Sequence, residues 1–422
     1  MPDALPNPGL FEAFGIELEY MIVGAAGLDV RPLCDRVLAA VAGEGAGDAC
    51  FDDTAWSNEL VAHVIELKTA APAPRLAGLA GAFQRDVRRI NGLLAPLDAR
   101  LMPGPMHPWM NPATETRLWP HGGREIYRAF DALFDCRGHG WSNLQSMHLN
   151  LPFRDDDEFG RLHAAVRLVL PILPALAAGS PIVDSKVTGL RDSRLAAYRT
   201  NCARIPSMTG RVVPEPVFSE REYRDRILEP IYRDTAPYDP EGILACEWAN
   251  ARGAIARFER RTVEIRVLDV QECPAADLAV AAATTAAVRL LAGETWCPLA
   301  EMQAWPVDPL AGLLEDCIRD AEDAVIEDAA YLRVFGLSDD ARCTAGRLWS
   351  HLVEQADRRL PGEMDHCRDA LAVLLEEGSL ATRILRITGP APSSADLRRV
   401  AGMLCDCLAD GRMLRAGRAA SS

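Results

Sequence analysis

Apolar and polar residues alternate over residues 14–23, and that two-residue period predicts a strand. The alternation recurs over 142–153 and 262–270, and a β-branched run over 61–67 reads as a further strand. Between them the spacing becomes helical, over 32–42, 74–97, 123–136 and 157–178, with an Ala-rich helix over 274–292. Pro171 and Pro174 interrupt the fourth of these. Residues 100–120 hold five prolines and predict a structured loop, and 179–240 predicts irregular backbone. After about residue 305 the pattern is helical, over 309–330, 339–355, 362–378 and 394–414, with no convincing strand. The expectation is an α+β chain: a loose arm (1–10), a body (11–300), a helical segment packed on it (301–415) and a frayed tail (416–422).

Three of the predicted strands carry polar residues two positions apart: Glu17 with Glu19, His148 with Asn150, and Glu264 with Arg266. Side chains at i and i+2 share a face of a strand, so each pair projects together while Leu18, Leu149 and Ile265 point the other way. A solvated face of an antiparallel sheet would alternate in the same manner. Such faces mix Lys, Glu, Thr and Ser, whereas these carry carboxylates, an imidazole and a guanidinium in apolar surroundings. A polar face covered by other parts of the chain lines a cavity. A fourth segment adds Glu66, set among Val64, Ile65 and Leu67, which needs a partner if buried. Lys68 is spaced for an ion pair with it. Glu59 lies seven residues before Glu66 and joins it only across a bend.

Hydrophobic residues make up 49% and charged residues 25%, which excludes wholesale disorder. With 60 Asp+Glu against 45 Lys+Arg the net charge is −15, so no general attraction for nucleic acid is expected. Lys68 and Lys186 are the only lysines, so any clamp for phosphate or carboxylate is a guanidinium. The 12 cysteines are scattered, with no CxxC or zinc-ribbon spacing. No basic segment followed by an apolar one opens the chain, and the apolar stretch 168–178 is broken by prolines and too short to cross a bilayer. The expectation is a soluble, cytoplasmic protein with reduced thiols and no membrane partner.

Clustered carboxylates repel one another, so either some take up protons or a cation sits between them. Oxygen ligands with one imidazole suit Mg²⁺ or Mn²⁺ better than zinc. The sequence has no HExxH, no GxxxxGK[ST] loop and no well-placed GxGxxG. A nucleotide held here would lie on a sheet cradle rather than in a P-loop.

The runs GIELEY, NELVAHVIELKT, QSMHLNLPF and TVEIRVLDVQE, in that order over about residues 10–295, resemble the glutamate–cysteine ligase superfamily, and most of all the bacterial type 2 carboxylate–amine ligases. The resemblance implies a glutamine-synthetase-like fold, in which a curved antiparallel sheet forms an active-site funnel flanked by helices. It implies ATP, Mg²⁺ (or Mn²⁺) and amide-bond formation through an acyl phosphate. The carboxylate would be that of glutamate or a similar amino acid, and cysteine is the amine by analogy only. Carried over residue by residue, Glu17, Glu19, Glu59, Glu66, His148 and Glu264 would be metal ligands. Glu264 and Arg266 would be catalytic, with Arg266 on the transferring phosphate. Arg128 would lie near the nucleotide phosphates and Asn150 would face the substrate.

After the Ser180-Pro181 turn, Arg191, Arg194 and Tyr198 either hold substrate carboxylates or form a structural arginine network. The run 252–257, with Arg252 and Arg257, is equally ambiguous. The His107-Pro108-Trp109 loop and the helical region after 305 match no motif of the family. Three other readings stay open: phosphoryl transfer to a guanidino or amine substrate on the same fold, a non-catalytic nucleotide-binding homologue, and a carboxylate-bridged metallohydrolase that needs no ATP.

Overall fold

The computed structural model describes residues 8–337 and 342–416, so the expected arm and frayed tail fall almost wholly outside the described residues. In chain order the strands are β1 (Gly15–Gly24), β2 (Asp48–Cys50), β3 (Thr54–Asn58), β4 (Val64–Thr69), β5 (Ala99–Met102), β6 (Ser146–Pro152), β7 (Ile182–Val183), β8 (Lys186–Val187), β9 (Ala254–Arg257), β10 (Thr262–Asp269), β11 (Val325–Ile326) and β12 (Cys343–Thr344). Eight of them form one antiparallel sheet in the order β2-β3-β4-β1-β6-β10-β9, with β5 also on β1. The long central strand β1 pairs with β6 through its first half and with β5 through its second.

Alternation decides which face of this sheet is dry. Ile16, Leu18 and Tyr20 of β1, Leu67 of β4, Leu149 and Leu151 of β6 and Val263 and Ile265 of β10 are essentially inaccessible to solvent. Each such side chain contributes about 1.5–3 kcal/mol of burial free energy. The helices Leu79–Leu94, Asp156–Val169 and Pro274–Ala292 belong to the same core. The last has the length and hydropathy of a membrane span, yet 89% of its apolar window is buried inside the protein, as in a core helix.

The α+β expectation holds, with a large antiparallel sheet, flanking helices and a helical C-terminal segment. Several finer expectations do not. Strands β2, β3 and β9 are too short to show an alternation of their own. The start of the proline-rich loop is β5, whose ladder position on β1 fixes it in spite of weak local signal. The irregular stretch 179–240 contains the β7–β8 hairpin and several short helices, among them Ser193–Tyr198 and Glu229–Thr235. The helical segment is not strand-free: the helix expected over 309–330 ends at Asp320, Ala321 turns with φ 49°, and β11 pairs with β12. The final helix stops at Asp410 because Gly411, at φ 74°, provides the left-handed cap.

The segment after residue 305 packs back on the body. Helices Ala345–Arg359 and Arg368–Glu377 lie on Pro274–Ala292, and Ser394–Asp410 lies on β5 and Leu79–Leu94. The unexplained loop meets it there. His107 is buried with its ring Nε2 on the Leu28 carbonyl at 2.8 Å, and Trp109 packs against Ser394–Asp410 with the Arg398 guanidinium 5.3 Å over its ring. The loop is a docking element for the C-terminal helix.

Candidate active site

The polar face of the sheet is assembled by register. Pairing of β1 with β4 sets Glu17 opposite Lys68 and Glu19 opposite Glu66. On the other side β6 sets His148 opposite Glu17, and β10 sets Glu264 opposite Asn150. Directly opposed residues share a face, so the polar pairs read in separate strands converge. Residues 59–63, between β3 and β4, supply the bend that lets Glu59 meet Glu66. Two sets result: Glu17, Glu66 and His148, and Glu19, Glu59 and Glu66, each with ligand atoms within 4.8 Å of one another. Glu66 belongs to both.

Hydrogen bonds fix these side chains. His148 Nδ1 lies 2.7 Å from Glu17 Oε2, and its Nε2 lies 2.8 Å from Ser146 Oγ. Glu19 Oε2 accepts from the Ser146 backbone N–H at 2.6 Å and from its hydroxyl at 3.0 Å. Glu66 Oε1 accepts from Ser57 Oγ at 2.7 Å and Lys68 Nζ at 2.8 Å, so the Lys68 ion pair forms. Glu264 is held from both sides, by Arg266 Nε at 2.8 Å and by Arg257 at 3.1 Å.

The electrostatics follow from burial and neighbours. Burial raises the carboxyls of Glu19 and Glu59, and for Glu59 the nearby charges of Glu66 and Glu19 raise it further. Burial also opposes the charge of His148, but the hydrogen bond and charge of Glu17, with Glu19 and Glu264, outweigh it and bring the imidazole up to about 9. Glu264 is likewise buried, yet Arg266, His148 and Arg257 hold it down to about 2. The face thus combines carboxylates that resist ionisation with an imidazolium that partly neutralises them.

Over this face lies a cleft of about 260 Å³, open to solvent. Glu19, Glu59, His148, Arg194 and Arg266 form its charged wall. The other wall is aromatic: the Phe130 ring lies 5.3 Å from Trp141 and 5.6 Å from Trp248, centroid to centroid. Tyr127, on helix Arg124–Phe134, reaches the end of β3 through Asn58 at 2.9 Å.

Not every expected residue converges. Glu264 is in neither of these two sets; its Oε1 lies 4.0 Å from His148 Nδ1, and its oxygens accept from Arg266 and Arg257. Arg128 is exposed on Arg124–Phe134, while its neighbours Tyr127 and Phe130 line the cleft. Arg191 lies 3.8 Å from the exposed Asp323 and does not line the cleft. Arg194 is buried against Asp269, and only a part of it reaches the cleft wall. Tyr198 lines the cleft beside Arg266, and Asn150 donates to Glu17 at 3.2 Å. Of the 252–257 run, Arg257 reaches Glu264, whereas Arg252 holds Glu215 at 2.7 Å. Ser57, Ser146, Tyr127, Trp248 and Asp269 were not legible as site residues. Ser146 and Asp269 carried a signal only as members of the QSMHLNLPF and TVEIRVLDVQE runs.

The family model of glutamate–cysteine ligase family 2 matches residues 13–400. An uncharacterized protein of Archaeoglobus fulgidus is 32% identical over 378 residues, 89% of this chain and 93% of that one. A Bradyrhizobium sp. (strain ORS 278) protein provisionally named glutamate–cysteine ligase 2 is 28% identical over 277 residues, 64% of this chain and 60% of its own length. Among solved structures, a glutamate–cysteine ligase from Francisella tularensis in complex with AMP has TM-score 0.58 at 12% identity, covering 96% of this chain and 90% of that one. A bifunctional glutathione synthetase from Pasteurella multocida has TM-score 0.56 at 15% identity, covering 94% of this chain and 52% of that one. At these identities the two structures speak to the fold.

Proposed function

We propose that this chain, which belongs to glutamate–cysteine ligase family 2, is an ATP- and Mg²⁺-dependent ligase that joins a carboxylate to an amine through an acyl phosphate. One observation carries the reading: two three-ligand sets share Glu66, and Glu19, Glu59 and His148 of those sets line one cleft together with Arg266. Glu17, Glu19, Glu59 and Glu66 would hold the metal, joined by His148 once its imidazolium gives up a proton, and this oxygen-rich donor set fits Mg²⁺ or Mn²⁺. When bound, Mg²⁺ would neutralise the nucleotide phosphates and leave the γ-phosphoryl group open to attack. The AMP complex of the Francisella ligase supports an adenine nucleotide.

The chain's own residues position and stabilise. Glu264 on one side and the Asn250 carbonyl at 3.3 Å on the other fix the Arg266 guanidinium. A fork held this way stabilises charge on the transferring group, a role worth about 10³–10⁵ in rate for comparable arginines. Arg257 keeps Glu264 ionised, so the Arg266 fork stays oriented. The carboxylate of glutamate or a similar amino acid would attack, and the amine would then displace phosphate. Cysteine is the acceptor named for the Bradyrhizobium relatives. A cytoplasmic setting suits the 12 cysteines, all of them unpaired thiols and all but Cys50 and Cys246 buried.

The test is a panel of amino acids and amines with ATP and Mg²⁺, followed by ADP, phosphate and product mass. Equal amounts of ADP and phosphate, with an amide product, are expected. ADP with a phosphorylated product instead assigns phosphoryl transfer, and turnover without ATP assigns a hydrolase. Glu264→Gln should stay folded and lose Mg²⁺-dependent ADP release. Near-normal turnover in that variant overturns the reading.

A further inference from the structure

We propose that Asn58 and Tyr127 are positioning residues that hold Glu59 for a cation. They tie the set of Glu19, Glu59 and Glu66 to helix Arg124–Phe134 and leave the set of Glu17, Glu66 and His148 independent of it. The inference rests on the metal assignment of the ligase reading and says what keeps one half of it in shape. Glu17 and Glu19 stand on β1, Glu66 on β4 and His148 on β6, so the ladder fixes where each points. Each of these four also has a hydrogen-bond partner at its side chain. Glu59 has neither support. It lies between β3 and β4, and among the described residues no hydroxyl, amide or cationic group donates to its carboxylate. The side-chain bond on this residue goes to its backbone instead: Asn58 Nδ2 donates to the Glu59 carbonyl at 3.1 Å.

Both hydrogens of that amide are used, the second on Tyr127 Oη at 2.9 Å. The Glu59 carbonyl accepts and cannot donate, so the amide can be turned only one way. Asn58 is the last residue of β3, and its backbone N–H donates to the Gly47 carbonyl at 2.9 Å. A Cβ at Gly47 would come within 2.9 Å of Asn58 Oδ1, so the bare glycine leaves the amide its room. At the other end Tyr127 belongs to a helix that is itself fixed. Phe130 and Leu133 of that helix are buried in the main core, and Arg204 Nη1 donates to the Leu133 carbonyl at 2.9 Å. Tyr127 and Phe130 also line the cleft, so a ligand held in the cleft and the Glu59 bend share one support.

The experiment titrates Mn²⁺ into the full chain and reads free and bound ion by electron paramagnetic resonance. Wild type should hold two Mn²⁺, one in each set. Asn58→Leu keeps the volume and removes both amide bonds, whereas Gly47→Ala leaves Asn58 in place and only crowds its amide. Each should weaken one of the two ions about fivefold or more, the worth of one hydrogen bond, and leave the other within about twofold. Tyr127→Phe removes the acceptor oxygen but keeps the ring, and should weaken the same ion about threefold. In a Glu59→Gln background, where that set has lost its charged ligand, adding Asn58→Leu should change Mn²⁺ binding less than about twofold. A general loss of packing would weaken both ions, or weaken binding further in the Glu59→Gln background, and either result overturns the inference. Unchanged binding in both Asn58→Leu and Gly47→Ala overturns it too and leaves the ligase reading intact. Tyr127→Phe at wild-type affinity overturns the tie to the helix. A single Mn²⁺ in wild type overturns the separation of the two sets, and none at all overturns the metal assignment and this inference with it.

Discussion

Replacing Arg383 by Met tests how the C-terminal segment is held. Arg383, on helix Leu380–Thr388, and Glu272, three residues past β10, form an ion pair with both side chains 0% exposed. Arg383 also donates to the Leu414 carbonyl at 2.7 Å and to that of Gly378 at 3.2 Å, and Glu272 accepts from the Leu414 backbone N–H at 3.1 Å. One pair therefore ties a core strand, a late helix and the end of the described chain. Arg383→Met keeps most of the volume but leaves the Glu272 carboxylate buried with a single donor. Breaking a fully buried pair from one side costs about 3–5 kcal/mol, and that is the expected loss in urea unfolding at pH 7. Arg383→Met combined with Glu272→Leu should recover most of it, because an apolar pair of similar volume substitutes well for a buried ion pair. Hydrogen exchange at residues 411–416 should quicken in the single variant. A loss under 1 kcal/mol, or a double variant no better than the single, refutes the reasoning.

Glu66→Gln should abolish Mn²⁺ binding seen by electron paramagnetic resonance, because it removes the ligand common to both sets; wild-type affinity would reject the shared site. His63 and His107 are buried and lowered to about 4, and His163 to about 3, burial being the main cause in each. The unfolded chain takes up these protons below its ordinary histidine value while the folded chain does not, so this stability is complete at neutral pH and is lost as pH falls from about 6.5 towards 4. Each should cost about 2 kcal/mol between pH 7 and 5, and His163→Gln should flatten that slope in urea unfolding; an unchanged slope would count against it. Gly253→Ala should lose about 1–3 kcal/mol in the same assay, because its Cβ would come within 2.4 Å of Val267 and 2.9 Å of Val212. Its activity should fall too, because the Gly253 carbonyl holds the Arg266 backbone N–H at 2.9 Å; full activity would refute that link.

What the sequence made legible follows the reach of its periodicities. Strands long enough to alternate, β1, β4, β6 and β10, were readable, and so were the carboxylates and His148 that their i, i+2 spacing places together. Glu59 was readable only conditionally before the family resemblance, because its approach to Glu66 depends on a bend that no periodicity encodes. The residues that hold the ligands in place were not readable. Ser146 reaches Glu19 across 127 positions of sequence, and the Arg383–Glu272 pair spans 111. No local pattern encodes contacts of that separation. The arginines after Ser180 looked alike in sequence, and only their partners, Asp323 for one and Asp269 for the other, separate them.

The pairing of β10 with β6 runs Glu264 to Asn150 and Ile265 to Leu149, then resumes with Leu268 opposite Met147 and Asp269 opposite Ser146. Three steps on β10 thus match two on β6, so the strand holds one extra residue. That residue returns Leu268 to the core and turns Asp269 towards the site, where it meets Arg194. The polar positions along β10 therefore fall at 264, 266 and 269 rather than at every second residue. In this strand length is constrained more tightly than identity. An insertion just after Arg266 would carry Leu268 and Asp269 out of step with β6, exchange their faces and bury a carboxylate without its arginine, although no side chain had been altered.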